Sequence, residues 1–153
     1  MASLALKIPP PAVGLLVAGA MWWVSRYGVL EAVPPGWRLG TALVIAAFGA
    51  AFDVAGIIAF QRAKTTVNPM KPEKSAALVC SGVYRITRNP MYVGMAFILL
   101  AWAVYLASPW GLIGPLAFAA YITRFQIKPE ERVLATRFGA EFASYQARVR
   151  RWL

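Results

Sequence analysis

Histidine is missing from all 153 residues, and cysteine occurs once, as Cys80. Without histidine there is no imidazole general base, no Ser-His-Asp or Cys-His mechanism, and no zinc site that needs a His ligand. A single thiol excludes an internal disulfide and a Cys-rich metal cluster, so no metal is expected. Cys80 shares its loop with Lys and Arg, which leaves it either an inert thiol or a mildly reactive one. Acidic residues are scarce: six Asp+Glu face sixteen Lys+Arg, for a formal net charge of +10. Charge of either sign amounts to 14% of the chain, against 59% hydrophobic residues. A disordered chain would be poor in apolar residues, and a soluble domain of this size could not bury so many. The length suits one domain over residues 1–153.

The apolar residues fall in long runs. Residues 8–25 are uncharged, 39–61 carry only Asp53, and the 35 residues of 89–123 carry no charge. A membrane helix needs about 20 apolar residues, and 35 in one helix would extend about 52 Å, too far for a hydrocarbon core of roughly 30 Å. Ser108-Pro109-Trp110-Gly111 supplies a turn that folds this run back on itself. The expected architecture is all-α: an integral membrane protein with four transmembrane helices over about 10–27, 38–60, 91–107 and 111–127, plus a C-terminal amphipathic cytoplasmic helix. The first run has Lys7 ahead of it, as a signal peptide would. Its length, Trp22, Trp23 and the lack of a small-x-small cleavage site favour a retained helix. Trp22, Trp23, Tyr27 and Trp37 fall near span ends, where amphipathic rings favour the headgroup layer.

Charge sets the orientation. Arg62, Lys64, Lys71, Lys74, Arg85 and Arg88 lie between the second and third spans, and Arg124, Lys128, Arg132, Arg137, Arg148, Arg150 and Arg151 follow the fourth. By the positive-inside rule both segments and both termini are cytoplasmic, with the protein in the inner membrane. The basic residues flank apolar spans, so the bilayer is the expected partner and nucleic acid is not.

Two segments outside the spans carry the chemistry, 62–94 and 124–145. The first contains Pro69, Pro72 and Gly82 and is not one helix. It ends at Asn89-Pro90, a helix start with Asn89 as N-cap and Pro90 at N1, which leaves free N–H groups as a potential anion site near Arg85 and Arg88. In the second, Pro129 starts a helix with Glu130 and Glu131 in its first turn. Val133, Leu134, Phe138, Phe142 and Tyr145 recur on one face, opposite Arg132, Arg137, Glu141 and Arg148. Gly139 costs this helix about 1 kcal/mol relative to Ala, so packing must hold it. Two polar clusters result on one side of the membrane: Tyr84, Arg85, Arg88, Asn89, Tyr92 and Gly94, and Arg124, Glu130 and Glu131. An Arg and a helix N-terminus suit a carboxylate, and a Glu suits an ammonium group or a ribose diol. Plainer roles stand beside these: topology charges for Arg85 and Arg88, helix-start charges for Glu130 and Glu131, an interfacial ring for Tyr92 and helix packing for Gly94. Asp53 in mid-span is either a proton or substrate site or a buried carboxyl bonded to a neighbouring helix.

Ser81-Gly82-Val83-Tyr84-Arg85, followed by Thr87-Arg88-Asn89-Pro90-Met91-Tyr92-Val93-Gly94, resembles the G-x-Y-x-x-x-R-[HN]-P-x-Y-x-G signature of the isoprenylcysteine carboxyl methyltransferase and phospholipid methyltransferase superfamily. Pro129-Glu130-Glu131, Leu134, Arg137-Phe138-Gly139, Phe142 and Tyr145 resemble its E-E-x-x-L-x-x-x-F-G-x-x-[YF]-x-x-Y ending. Thr65-Thr66-Val67-Asn68-Pro69 is similar to the loop before the signature in short bacterial members. The resemblance covers about residues 60–153; the first two spans agree in hydropathy alone. It implies a membrane-embedded methyltransferase that uses S-adenosyl-L-methionine and releases S-adenosyl-L-homocysteine, with no Rossmann domain. It implies cofactor contacts from Tyr84, Arg88, Asn89, Pro90, Tyr92, Gly94, Glu130 and Glu131, and catalytic roles for Arg88, Tyr92 and Glu131. Arg124, at the cytoplasmic end of the fourth span, is the residue expected to orient an anionic acceptor. Asn89 departs from the His of the eukaryotic carboxyl methyltransferases, so any acid–base role at that position is lost.

The expected reaction is direct methyl transfer to a lipophilic small molecule or lipid entering from the bilayer, by alignment in a dry pocket. The favoured acceptor is an isoprenylcysteine-type carboxylate. The alternatives are a phospholipid amine of the phosphatidylethanolamine type and a small thiol. A different class, a small four-helix transporter with one membrane carboxylate, gives no reason for motifs outside the spans, and a non-enzymatic scaffold is the third reading.

Overall fold

The computed structural model describes residues 6–28, 33–64 and 77–153. The expectations placed on 65–76, which include the loop before the signature and Pro72, Lys71 and Lys74, lie outside the described residues. The described chain is helical: α1 (Pro10–Ser25), α2 (Pro35–Arg62), α3 (Pro90–Leu106), α4 (Ile113–Ile122) and α5 (Lys128–Arg148), with 3-10 turns at Gly82–Arg85 and Pro109–Leu112 and a π-helical turn at Thr123–Ile127.

Proline sets where the apolar helices begin. α1, α2 and α3 each open with Pro in the first turn, where the missing N–H would have no helical partner in any case. α3 ends on Ala107 in the left-handed conformation (φ 48°), and the 3-10 turn then reverses the chain into α4, at the predicted Ser108–Gly111 corner. α1, α3 and α4 build one core around Val13, Met21, Tyr92, Leu99, Ala103, Phe118, Ile122 and Ile127. α2 joins it through a glycine crossing. A Cβ on Gly49 would stand 2.7 Å from the carbonyl oxygen of Gly94, and a Cβ on Gly94 would overlap both the Gly49 carbonyl and the Asp53 carboxylate. Asp53 thus packs against the backbone of α3, and its buried Oδ1 has no hydrogen-bond partner among the described residues.

The outer surface of the bundle is apolar. Leu15, Leu16, Val44 and Leu116 are exposed by 75, 70, 71 and 72%, a belt that water would not tolerate at this extent. Among the described residues α2 is the one helix long and apolar enough to cross a membrane by length and composition; α1 and α3 are apolar but shorter, at 16 and 17 residues.

Two expectations about the tail are corrected. Pro129 does not start a separate helix: α4 runs through the π-turn directly into α5, with helical backbone at each junction. The π register sends the Lys128 N–H to the Thr123 carbonyl. Pro129 has no N–H to offer the Phe125 carbonyl four residues back, and the Leu6 N–H takes that carbonyl at 3.1 Å instead. Gly139 is not held within a straight helix either. It breaks α5, with φ 49° and ψ −120°, a conformation that a Cβ would strain and that glycine adopts freely. No atom lies within 4 Å of the Cβ it lacks, so its backbone, not its size, is what the site uses. The predicted amphipathic face holds: Phe142 and Tyr145 are buried, Val133, Leu134 and Phe138 partly buried, and Arg132, Arg137, Glu141 and Arg148 exposed.

Candidate active site

The signature segment divides into two faces. Tyr84, Pro90 and Gly94 turn toward α2. The Tyr84 ring meets Phe60 edge-on at 5.5 Å within a small cluster with Ala59 and Val79, Pro90 lies on Gly56, and Gly94 lies on Gly49 and Asp53. The close approach expected at Gly94 is therefore made by a helix. Arg88, Asn89 and Tyr92 turn the other way, toward the tail. Arg85 is exposed on the 3-10 turn and does not join them.

Arg88 joins the two motifs. Its Nη2 donates to Glu131 Oε1 at 2.8 Å, and its Nη1 donates to the carbonyls of Val149 at 2.6 Å and Gln146 at 3.2 Å. Both side chains of the ion pair are largely buried, at 11 and 13% exposure. Arg151 completes the clasp: its Nη2 donates to Glu131 Oε2 at 2.6 Å and its Nε to Oε1 at 3.1 Å. Asn89 was expected to cap α3, but its side chain makes no capping bond. Its Nδ2 donates to the Arg151 carbonyl at 2.9 Å, as Thr87 Oγ1 does at 3.1 Å. The Arg88 N–H donates to the Arg150 carbonyl, and Thr87 and Arg150 form a parallel bridge. The extended residues after α5 thus run across the start of α3, where free N–H groups for an anion had been expected.

Glu130 faces into the bundle. Its Oε1 accepts from the Tyr92 hydroxyl at 2.8 Å and from Gln126 Nε2 at 2.5 Å. The two neighbouring carboxyls consequently differ in charge preference. Burial pushes Glu130 up from 4.5 to about 7, against the pull of its two donors, and the charge of Glu131 adds to the rise. Burial acts on Glu131 as well, but the bonds and charges of Arg151 and Arg88 outweigh it and hold that carboxyl below the ordinary value. Tyr145 lies behind the pair and donates its hydroxyl to the Tyr84 carbonyl at 2.7 Å, tying the tail to the signature.

Beside Glu131 opens a cleft of about 490 Å3, lined by Arg124, Lys128, Glu131, Arg132, Ala135, Gln146 and Arg151. Arg124 lines this cleft, with its guanidinium 5.7 Å from the Phe125 ring centre. Thus Arg88, Asn89, Tyr92, Glu130 and Glu131 come together at one end of the bundle, with Arg124 on the adjoining cleft. The structure adds Gln126, Gln146, Arg151 and the Thr123–Trp152 pair, in which Trp152 Nε1 donates at 3.1 Å. Nothing in the sequence distinguished Arg151 from the other basic residues after the fourth span. For Gln126 there was one signal, a lone amide four residues before Glu130 and hence on the same helix face. Among the described residues no group of three metal-ligating side chains occurs.

A helical membrane-type bundle whose polar end is closed by an Arg–Glu pair and a Tyr–Glu pair is the class that fold and site define. Residues 37–141 match the model of the phospholipid methyltransferase family, and the chain belongs to that family of methyltransferases. It is 30% identical to protein-S-isoprenylcysteine O-methyltransferase B of Arabidopsis thaliana over 131 residues, 84% of this chain and 58% of that protein. To protein-S-isoprenylcysteine O-methyltransferase A of the same plant it is 30% identical over 127 residues, 81% of this chain and 56% of that protein. An uncharacterized protein of Haemophilus influenzae is 41% identical over its whole length of 63 residues, which covers 41% of this chain. The chain spans little more than half the length of the plant relatives it matches.

Proposed function

We propose that this protein transfers a methyl group from S-adenosyl-L-methionine to a lipophilic acceptor dissolved in the membrane, with an isoprenylcysteine-type carboxylate as the favoured acceptor. The observation that carries this reading is the joining of the two motifs: Arg88 to Glu131 and Tyr92 to Glu130, beside an open cleft. The cleft volume falls within the range of small-molecule sites. Its chemistry suits the cofactor: Glu131 for an ammonium group or ribose hydroxyls and Arg124 and Arg151 for a carboxylate, with Glu130 beside Glu131 on the bundle side. When bound, the cofactor supplies an electrophilic methyl on a sulfonium.

The protein's residues have three tasks. Glu130 and Glu131 hold polar groups of the cofactor in fixed positions, because each carboxyl is itself held by buried donors. Arg124 orients an anionic acceptor at the edge of the cleft. The apolar bundle and the strap after α5 exclude water, which favours charge neutralisation between a sulfonium and an anion. A carboxylate is already a nucleophile at neutral pH, so a site without histidine suffices for it.

Four membrane crossings by α1, α2, α3 and α4 with its π-turn accord with the exposed apolar belt. The Leu6–Phe125 bond brings the chain before α1 to the same end as the tail, in accord with both of these segments and the active site facing the cytoplasm across the inner membrane. A second reading, methylation of a phospholipid amine, draws on Glu130. A carboxyl raised to about 7 can take a proton from an ammonium acceptor near neutral pH.

The test is a titration of the purified protein with S-adenosylhomocysteine, followed by methyl transfer from labelled cofactor to a membrane lipid extract. Binding in the micromolar class is expected, with a rise in melting temperature at saturation. Absence of both heat and shift in folded protein would sink the enzyme reading. At saturating cofactor, a rate nearly flat from about pH 6 to 9 selects the carboxylate, and a rate that climbs close to tenfold per pH unit selects the amine.

A further inference from the structure

We propose that Gln126 is a positioning residue of this site: carried inward by the π-turn, its amide fixes the orientation and the charge state of the Glu130 carboxyl. The inference deepens the preceding reading and rests on it for the role of Glu130 toward the cofactor.

Gln126 is 2% exposed, at the end of a helix that otherwise presents apolar side chains to the core. A primary amide buried there is costly unless its groups are bonded. It sits in the π-turn, which adds a residue to one helical turn, so that the consecutive Gln126 and Ile127 are both buried while Arg124 and Lys128 on either side stay exposed. Four residues on, and hence on the same helix face, lies Glu130. The Gln126 amide donates to Glu130 Oε1, and the Tyr92 hydroxyl donates to the same oxygen from α3. Two donors fixed on separate elements therefore hold one oxygen of the carboxyl, which sets the plane of the group. Both bonds fall on Oε1, and Oε2 is the oxygen we assign to a ligand.

The same contacts govern its charge. The titratable groups facing Glu130 are Tyr92 of α3, Tyr84 of the 3-10 turn and Glu131 beside it on α5, and none of them is a cation. Among the described residues Glu130 has no ion pair with a cation; Arg88 and Arg151 are both directed at Glu131. Neutral donors are what favour its ionised form, and Gln126 is the stronger of the two that oppose burial. A ligand ammonium needs the carboxylate; a protonated Glu130 would present an O–H to it instead.

The experiment compares the full-length protein with Gln126→Met, which keeps the volume and removes the amide, and Gln126→Glu, which puts an acidic group where the donor was. The titration of Glu130 is read by NMR of 13C-labelled glutamate carboxyls, assigned with Glu130→Gln, without any ligand. Its midpoint should move up by about half a pH unit or more in Gln126→Met, as for loss of a hydrogen bond to the charged form, and further in Gln126→Glu. In parallel, S-adenosylhomocysteine affinity at pH 7 should fall about twofold or more in Gln126→Met and recover toward the native value at pH 9, as expected when protonation governs binding. A merely structural Gln126 would lower the melting temperature and leave the titration midpoint in place; that result in folded variants overturns the proposal. If the midpoints shift as stated but native protein binds no S-adenosylhomocysteine between pH 5 and 9, the cofactor reading fails and the positioning of Glu130 by Gln126 stands.

Discussion

Glu130 and Glu131 are neighbours in sequence on one helix, yet they belong to two differently built regions. Glu131 looks outward to the strap, where Arg88 and Arg151 surround it. Glu130 looks into the bundle, where a phenol and an amide are its partners. A single step along the helix, about 100° of rotation, thus separates a carboxylate fixed in its charged form from a carboxyl poised to titrate near neutrality. Proximity in sequence says little about protonation; the partner's formal charge decides it. Paired carboxyls whose environments push them apart are a frequent mark of a division of labour within a site.

Removing Arg88 should break the comparison most severely. Arg88→Ala strips Glu131 of its buried partner and frees the carbonyls of Gln146 and Val149. Arg151 still partners Glu131, but loss of the buried charge-assisted bond together with the donors of two carbonyls costs about 3–5 kcal/mol. Denaturant unfolding in a fixed detergent should show a loss of this size, with the ligand affinity lost alongside it. Unchanged stability would mean that the Arg88–Glu131 pair is not what joins the motifs.

A smaller effect separates the two carboxyls by pH. Glu130 has a folded value of about 7, above its ordinary 4.5, so its contribution to stability is full below about 4.5 and fades as pH rises through 7. Glu131 is held below its ordinary value, so its contribution is full above about 4.5 and fades as pH falls. The cofactor-free protein should therefore be most stable between the two transitions. Glu130→Gln should remove the alkaline decline, worth on the order of 2 kcal/mol between pH 5 and 8, and leave the acid decline in place. Parallel stability curves for native and variant protein across that interval would contradict the assignment.

The smallest change is expected at Arg151, whose side chain is 35% exposed and screened by water. Arg151→Ala should cost about 1 kcal/mol, because the strap keeps its backbone bonds to Thr87, Arg88 and Asn89. A loss as large as that of Arg88→Ala would show that both cations bear equally on Glu131 and would blur the distinction between the buried and the open side of the clasp.

Much of this was readable in the residues. Pro90 marked the start of α3, because a residue without an N–H is harmless there, and Pro10 and Pro35 turn out to open α1 and α2 in the same way. The apolar stripe of α5 and the turn at Ser108 followed from periodicity and from Pro and Gly. The same rules misplaced Pro129, since the carbonyl it releases is satisfied by Leu6, and no local pattern announces a partner so remote. Asn89 had the composition of a cap and became a tie to the strap: its Nδ2 donates to the Arg151 carbonyl, and the Tyr92 and Val93 N–H groups go to its backbone carbonyl instead of its side chain. Arg88 and Glu131 were assigned to a ligand from the motif; their mutual bond needed the packing of α3 against α5, which periodicity does not encode.

The bond from Leu6 to Phe125 has a consequence for how the protein is made. It joins the chain ahead of α1 to the chain behind α4, so it cannot form until the helices between them have been made and packed. Until then the Phe125 carbonyl lacks its donor, and the register of the π-turn, which carries Gln126 toward Glu130, is not secured. Assembly of the active site is therefore a closing event of biogenesis, and a bulky fusion placed directly before Leu6 would disturb the far end of the chain before it disturbed its own helix.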